Sequence, residues 1–342
     1  MFPLMFISSN LTEFKILFAE KLRTMLSPDE LGAFILVLAN SMQDKQSQES
    51  LKDDVLAMFV ELNNKHNNGE LKGTDDDLSV FEKIREKGIG KLSIWETIEQ
   101  GEWDLLFNPM RGLRPARASS EKVETIFREF DSVKFHFNKP FLRPEILWEG
   151  EWENIQLRVL YNKFPFSPFH LIIVPEAEKK MPQYLVKQYH ELIWRIVEEQ
   201  SGNLPGFGVG YNSLGACASV NHLHFQSFIQ KNTLPIEKSL WQHNGGRHEY
   251  PMYCVKTTSI NECWAVIEKL HKDNRPYNLL YRPGCCYILP RKMQGSESVA
   301  ERVRGAGWIE GCGVFNVASK NYARNLTAEF LYSDLKSLSI QN

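Results

Sequence analysis

The chain has 342 residues, 43% of them hydrophobic and 24% charged, with a formal net charge of −2. That length suits two or three domains, or one large domain with an extension, and the composition supports a sizeable core. The near-neutral balance excludes a protein held on nucleic acid by bulk charge, though not the binding of a single nucleotide. No apolar run reaches the ~18 residues of a membrane span, so no membrane partner is expected. The start, Met1 to Ile7, is apolar but lacks a basic region and a small-residue cleavage site, which makes it a poor signal peptide. The cysteines at 217, 254, 263, 285, 286 and 312 form no C-x-x-C and are too sparse for a disulfide framework, so they read as reduced thiols of a cytoplasmic protein.

In chain order, the first part reads as helices. Ser27-Pro28-Asp29-Glu30 is a capping box opening the run Leu31 to Leu38, and Ser50-Leu51-Lys52-Asp53 opens a second helix through Leu62. The polar stretch Asn63 to Asp77 reads as a linker or mobile loop. Two further capping boxes follow, Ser79 to Glu82 and Ser93 to Glu96. After Gly101 the spacing changes to that of strands: Val133, Phe135 and Phe137 alternate with polar residues, as does Ile155 to Tyr161, and Phe169 to Val174 is a short apolar strand. Pro182 to Gly202 reads as one long helix, then Phe207 to Tyr211 and Val220 to Gln230 as strands. Tyr277 to Tyr281 and Cys285 to Leu289 form a hairpin turning on Pro283-Gly284, and a helix near Leu326 to Leu338 closes the chain. The order implies an α+β fold with a largely antiparallel sheet and packed helices. Residues 1–92 form an N-terminal helical extension and residues 93–342 a second domain.

The segment His222-Leu223-His224-Phe225-Gln226 carries the chemistry. On a strand, Leu223 and Phe225 face the core while His222, His224 and Gln226 line the other side. A neutral imidazole is nucleophilic near pH 7, a second can donate a hydrogen bond, and an amide can hold a phosphate oxygen without adding charge. The preceding loop, Gly210 to Ser219, is built of small residues whose backbone N–H groups can approach an anion, with Asn212, Ser213 and Ser219 as side-chain donors near Gly215. An isolated H-x-H is also common as a zinc pair or an exposed strand face. The zinc reading lacks further ligands, since His243 and His248 fall in a loop-like stretch, so no metal and no cofactor are expected.

Asn212-Ser213-Leu214-Gly215 followed by Asn221-His222-Leu223-His224-Phe225-Gln226 resembles the active-site stretch of the GDP-L-galactose and GDP-D-glucose phosphorylases. These belong to the galactose-1-phosphate uridylyltransferase branch of the histidine-triad superfamily, in which glutamine stands where ordinary histidine-triad hydrolases have a third histidine. Upstream, Asn162, Phe164-Pro165 and His170 to Pro175 resemble the family's N-x-S-P…G-H-x-L-x-x-P strand. Asp131 to Phe137 resembles its F-D-x-x-K-F-N-F, and Asn108, Arg111 and Arg114-Pro115 its N-x-x-R…R-P. Leu234 to Lys238 resembles its P-x-E-K. The resemblance runs from about Trp95 to the C-terminus. Two positions depart from it: Phe169 replaces the glycine before the upstream histidine and Phe164 replaces the serine before the proline. Both changes are expected to crowd a strand near the nucleotide. Residues before about 90 resemble nothing recognisable.

The resemblance implies a histidine-triad core and a two-step guanylyl transfer. His224 would attack the α-phosphorus of a GDP-hexose, hexose 1-phosphate would leave, and inorganic phosphate would then release GDP. It assigns Gln226 to a non-bridging oxygen and His222 to orienting His224 and its phosphate. Asn212, Ser219 and the backbone near Gly215 would line the phosphate pocket. Arg111 and Arg114 are anion-binding forks or, equally, ordinary salt-bridged arginines. His170 would be a structural or base-contacting residue. Partners would be GDP-hexose and phosphate, with a homodimer compatible. Other nucleotidyl-histidine transferases, a dinucleoside-polyphosphate phosphorylase and a non-catalytic nucleotide-binding module stay open as rivals. A chain beginning near Leu92 would be expected to retain the chemistry.

Overall fold

A computed structural model describes residues 8–27, 29–113 and 122–340. The N-terminal region is helical, with α1 (Leu11–Thr24), α2 (Leu31–Ser41), α3 (Lys45–Asn67) and α4 (Asp75–Lys87). Phe14, Phe18 and Leu22 recur every four residues on α1, one stripe at the helical period, and that stripe is its buried face. Helix starts differ from the capping-box reading. Pro28 lies outside the described residues, and α2 begins after Glu30 with no side-chain cap. The Asp44 carboxylate accepts from the Ser47 N–H at 2.9 Å and starts α3 ahead of Ser50. Thr74 caps α4 through the Asp77 N–H at 3.2 Å, which leaves Ser79 inside the helix. The stretch expected to be a loop, Asn63 to Asp77, is therefore helical at both ends, and Ser93 to Glu96 leads into a strand.

Strand β1 (Glu96–Gln100) pairs antiparallel with β2 (Trp103–Phe107), and β11 (Val314–Val317) runs parallel to β2. The larger sheet contains β3 (Ile146–Trp152), β4 (Ile155–Tyr161), β5 (Leu171–Pro175), β6 (Phe207–Asn212), β7 (Phe225–Ile229), β8 (Val255–Thr257), β9 (Tyr277–Arg282) and β10 (Cys285–Pro290). Its order is β3-β4-β5-β7-β6-β9-β10-β8, and neighbouring strands in it pair antiparallel throughout the described residues. The fold is thus α+β with a largely antiparallel sheet, and the hairpin at Pro283-Gly284 forms as expected. The remaining helices are α5 (Lys187–Asn203), α6 (Ile260–Lys272), α7 (Trp308–Gly311), α8 (Lys320–Arg324) and α9 (Ala328–Leu338).

Register sorts the two faces of the large sheet, because directly opposed residues share a face. Tyr161, Leu171, Ser227, Val209 and Tyr281 form one row. Helices α1 and α5 cover it: the Tyr161 hydroxyl donates to Phe18 O at 2.7 Å, and the Tyr281 hydroxyl meets His190 Nδ1 at 2.9 Å. Leu160, Ile172, Gln226, Gly210 and Leu280 form the row on the opposite face. One hydrophobic cluster runs from the N-terminal helices through the large sheet to α9, so the extension and the sheet share a core.

Three expected elements change. Residues 133–137 form no strand; Phe137 is buried, Val133 is 87% exposed, and side-chain ties hold the segment. Arg158 donates to Phe137 O at 3.2 Å and Asn138 to Ala177 O at 2.6 Å. β7 begins only at Phe225, because the backbone before it is bonded elsewhere: the Leu223 N–H donates to Met181 O at 2.9 Å. The helix expected from Pro182 begins at Lys187, since residues 181–183 bridge to that same stretch.

Candidate active site

His222 and His224 therefore sit in the segment entering β7, and only Gln226 is on the strand. Gln183 fixes the entry. Its Oε1 accepts from the His224 N–H at 2.9 Å, and its Nε2 donates to Asn212 O at 2.8 Å and to His224 O at 3.2 Å. One buried amide thus joins the end of β6 to the start of β7 with every bond satisfied.

The His224 ring is 4% exposed. Its Nδ1 lies 2.8 Å from the His222 carbonyl oxygen. A carbonyl only accepts, so Nδ1 carries the proton and Nε2 keeps its lone pair. Burial pushes the His224 pKa down to about 4, only partly opposed by that hydrogen bond, so the imidazole is neutral near pH 7. The His222 ring has no such freedom. Its Nε2 donates to Ala177 O at 3.1 Å and its Nδ1 accepts from the Phe137 N–H at 3.1 Å. Burial, then the nearby His224, depress its pKa to about 4 as well. His222 reaches His224 through its main-chain carbonyl, and its ring ties down the segment carrying Phe137, whose own ring lies 5.0 Å from that of His224.

Gln226 faces the opposite row. Its Oε1 accepts from the Trp308 indole N–H at 2.6 Å, leaving the amide NH₂ for another acceptor. Arg111 and His170 meet around a residue the motif reading left out, Phe166. The Arg111 guanidinium lies 4.8 Å over its ring, the His170 ring packs edge-on at 4.2 Å, and Trp308 lies 6.0 Å away. Asn108 shapes the Arg111 turn by accepting from the N–H groups of Met110 and Arg111 at 3.1 Å. Arg111 donates to Phe164 O at 3.3 Å and has no salt bridge to a carboxylate among the described residues. His170 is fully buried, and burial first, then the positive Arg111 and the neighbouring His224, hold its pKa well below the usual value.

The small-residue loop is more structural than expected. Asn212 Oδ1 accepts from the Trp308 N–H and from Asn278 Nδ2, both at 2.7 Å. Ser213 is buried; its hydroxyl accepts from the Tyr277 N–H at 2.9 Å and donates to Leu214 O at 3.1 Å, so it has no donor left for a phosphate. Gly215 has φ of +76°, and a Cβ there would strike Met293 Sδ. Ser219 is exposed in the turn before His222. Arg114 lies outside the described residues.

Contrary to the expectation from its place in the motif, Phe169 does not crowd the strand near the candidate site. Its φ is +51°, the left-handed region where the resembled family has glycine. The ring turns to α1, meeting Phe14 at 5.5 Å and Phe18 at 5.2 Å. Gln43 and Asn40 of the N-terminal region reach the same connection: the Phe169 N–H donates to Gln43 Oε1 at 2.6 Å and Asn40 Nδ2 to Asn162 O at 3.0 Å. Gln183, Phe166 and Trp308 had no signal in spacing, because each acts across elements distant in sequence. Among the described residues, no group of three or more His, Cys, Asp or Glu is placed to hold a metal, and no helix is long and apolar enough to cross a membrane.

The α+β core, with its largely antiparallel sheet, a histidine pair at the mouth of one strand and a glutamine upon it, has a histidine-triad-like fold. The chain superposes on yeast Ap4A phosphorylase Apa2 with a TM-score of 0.51 at 14% identity, over 78% of this chain and 95% of that one. With Ap4A bound, the same yeast protein gives a TM-score of 0.50 at 15% identity, over 78% and 98%. Residues 100–228 match the family model described as GDPGP1-like, N-terminal domain. The chain is 37% identical over 135 residues to GDP-D-glucose phosphorylase 1 of Danio rerio, covering 39% of this chain and 37% of that protein. The Homo sapiens GDP-D-glucose phosphorylase 1 is 33% identical over 142 residues, covering 39% and 35%. GDP-L-galactose phosphorylase 1 of Arabidopsis thaliana is 29% identical over 139 residues, covering 36% and 31%. The match thus spans about a third of the length of these curated relatives.

Proposed function

We propose that the protein is a GDP-hexose phosphorylase working through a guanylyl-histidine. The observation that carries the reading is the His224 ring, neutral and buried, with Nδ1–H bonded to the His222 carbonyl and the Nε2 lone pair unused among the described residues. Nε2 attacks the α-phosphorus of GDP-hexose, a P–N bond forms, and the bond from that phosphorus to the β-phosphate bridging oxygen breaks. The leaving group is hexose 1-phosphate, whose charge removes the need for a strong general acid. Positive charge that develops on the ring is met by the His222 carbonyl at Nδ1–H. An oxygen of inorganic phosphate then attacks the same phosphorus, the P–N bond breaks, and GDP departs with His224 restored.

The Gln226 NH₂ is suited to a non-bridging α-phosphate oxygen, and Arg111 supplies fixed positive charge with no salt bridge to a carboxylate among the described residues. The guanine preference rests on the relatives, which are named for GDP-D-glucose and GDP-L-galactose. A soluble, cytoplasmic, dimeric enzyme fits this reading.

The test is incubation with GDP-D-glucose, GDP-L-galactose and, for comparison, UDP- and ADP-sugars and Ap4A. Without phosphate, intact-mass analysis should find an acid-labile guanylyl adduct on His224. Added phosphate should release GDP, with hexose 1-phosphate formed in equal amount. Adducts and turnover only from adenine or uridine substrates would replace the substrate assignment. No adduct and no product from any of them would overturn the enzyme reading.

A further inference from the structure

Trp308 lies 80 residues past the segment that matches the GDPGP1-like domain, yet its side chain ends at Gln226. An indole N–H can only donate, so the Gln226 atom 2.6 Å from Trp308 Nε1 must be the oxygen. That settles which way the amide points and turns its NH₂ away from Trp308. The indole is itself fixed from several sides. It is fully buried and stacks on Phe228 at 5.1 Å between centroids, with 24° between the planes. Its rings also lie so close over Gly210 that a Cβ at 210 would strike them, and Gly210 is the cross-strand neighbour of Gln226. The glycine leaves the hollow into which the indole fits.

The backbone of Trp308 is held as firmly. Its N–H donates to Asn212 Oδ1 at 2.7 Å, and that oxygen also accepts from Asn278 Nδ2 at 2.7 Å. Asn278 Oδ1 in turn accepts from the buried Arg291 at 3.3 Å. Next to it, the Gly307 N–H donates to Glu310 Oε2 at 2.8 Å and closes the turn that starts α7. A continuous chain of bonds runs from Arg291 through Asn278, Asn212 and Trp308 to the Gln226 amide.

We propose that Trp308 is a positioning residue that locks the Gln226 amide with its NH₂ toward the transferring phosphoryl group, and that Asn212 acts on the reaction through it rather than by touching phosphate. The inference deepens the phosphorylase reading and rests on it. Without the indole N–H the amide rotates between two orientations, and the wrong one turns an oxygen toward an anionic phosphoryl oxygen. The loss should therefore appear in the transition state more than in substrate binding.

The experiment is a double-mutant cycle of Trp308→Phe and Gln226→Ala, read in kcat and KM for the GDP-hexose that the wild-type protein turns over. Trp308→Phe should lower kcat about tenfold and change KM less than about twofold, the size expected for losing one neutral hydrogen bond. In the Gln226→Ala background the same substitution should have no further effect, because its target is gone. Should Trp308→Phe fold poorly, benzothienylalanine at 308, which keeps the ring shape with sulfur for N–H, should give the same tenfold loss. An unchanged kcat in either single variant overturns the proposal. So does a loss that persists undiminished in the Gln226→Ala background, which is what a merely structural tryptophan would give. Independently of turnover, Gln226→Ala should shift the Trp308 indole N–H resonance in protein labelled with ¹⁵N-tryptophan; an unmoved resonance overturns the contact. A wild-type protein with no His224 adduct, but with the shifted resonance, refutes the phosphorylase reading and leaves the Trp308 contact standing.

Discussion

Phe14 and Phe18 of α1, each 1% exposed, are buried as deeply as His222 and His224, at 1% and 4%, but on the other face of the same sheet and for a different purpose. The phenylalanines fill space against Tyr161 and Phe169 and gain their stability from area removed from water. The histidines make few apolar gains. Burial instead keeps both rings neutral near pH 7, and the bond from His224 Nδ1–H to the His222 carbonyl leaves the Nε2 lone pair without a hydrogen-bond partner among the described residues. The two regions meet at the β4–β5 connection, where Asn40 and Gln43 grip the ends of the loop that carries Phe164, Phe166 and His170. The N-terminal helices are thus a structural support for a loop that the site uses, although nothing in them resembles a catalytic motif. Closely packed neighbours can therefore differ completely in which property a substitution disturbs, turnover or stability.

The sharpest test of that division is His224→Asn. Losing the covalent nucleophile should cost several orders of magnitude in kcat with the thermal midpoint nearly unchanged, measured by steady-state assay and calorimetry. Gln226→Ala should lower kcat by ~10²–10³ with a small change in KM; a change confined to KM would make the residue a ground-state contact. On the other face the signs reverse. Phe18→Ala should cost ~3–5 kcal/mol of stability in denaturant titration, while the kcat of the folded fraction stays near wild type. For the same reason, a chain beginning near Leu92 exposes Tyr161 and Phe169 together and should aggregate; a soluble truncation that still forms the adduct would show that the shared core is dispensable.

The smallest expected effect is in pH. With pKa values near 4 in the folded protein, against 6.5 for free histidine, His222 and His224 bind fewer protons folded than unfolded between those limits. Stability is then greatest above about pH 6.5 and declines as pH falls toward about 4. The acid limb of kcat/KM should lie near pH 4 rather than 6.5, provided the protein is still folded there. His224→Asn should lessen the loss of stability across that window, as judged by thermal midpoints at matched ionic strength, whereas Phe18→Ala should leave the slope intact.

The candidate site segment was legible in the sequence because it is local: His222, His224 and Gln226 fall within five residues, and the hairpin at Pro283-Gly284 and strand Ile155–Tyr161 follow from turn chemistry and alternation. Alternation failed at Val133 to Phe137, where side-chain bonds from Arg158 and Asn138 hold the segment instead of a neighbouring strand. It also failed ahead of β7, where Gln183 and Met181 take the backbone bonds that a longer strand would have used. Helix caps were misplaced because Asp44 and Thr74 compete for the same role and lie nearer the true ends.

By itself, the sequence determined which candidate side chains, His222, His224 and Gln226, stand together and in what order they come, because all three fall within five residues of chain. Only the tertiary structure decided how those groups are presented. It assigned the His222 ring to a structural bond and its carbonyl to His224, placed Phe166 between Arg111 and His170, turned Phe169 into the N-terminal helices, and brought Trp308 to Gln226. These contacts join residues tens of positions apart through sheet register and burial. Their energy depends on distances that no local pattern encodes, so folding had to supply them.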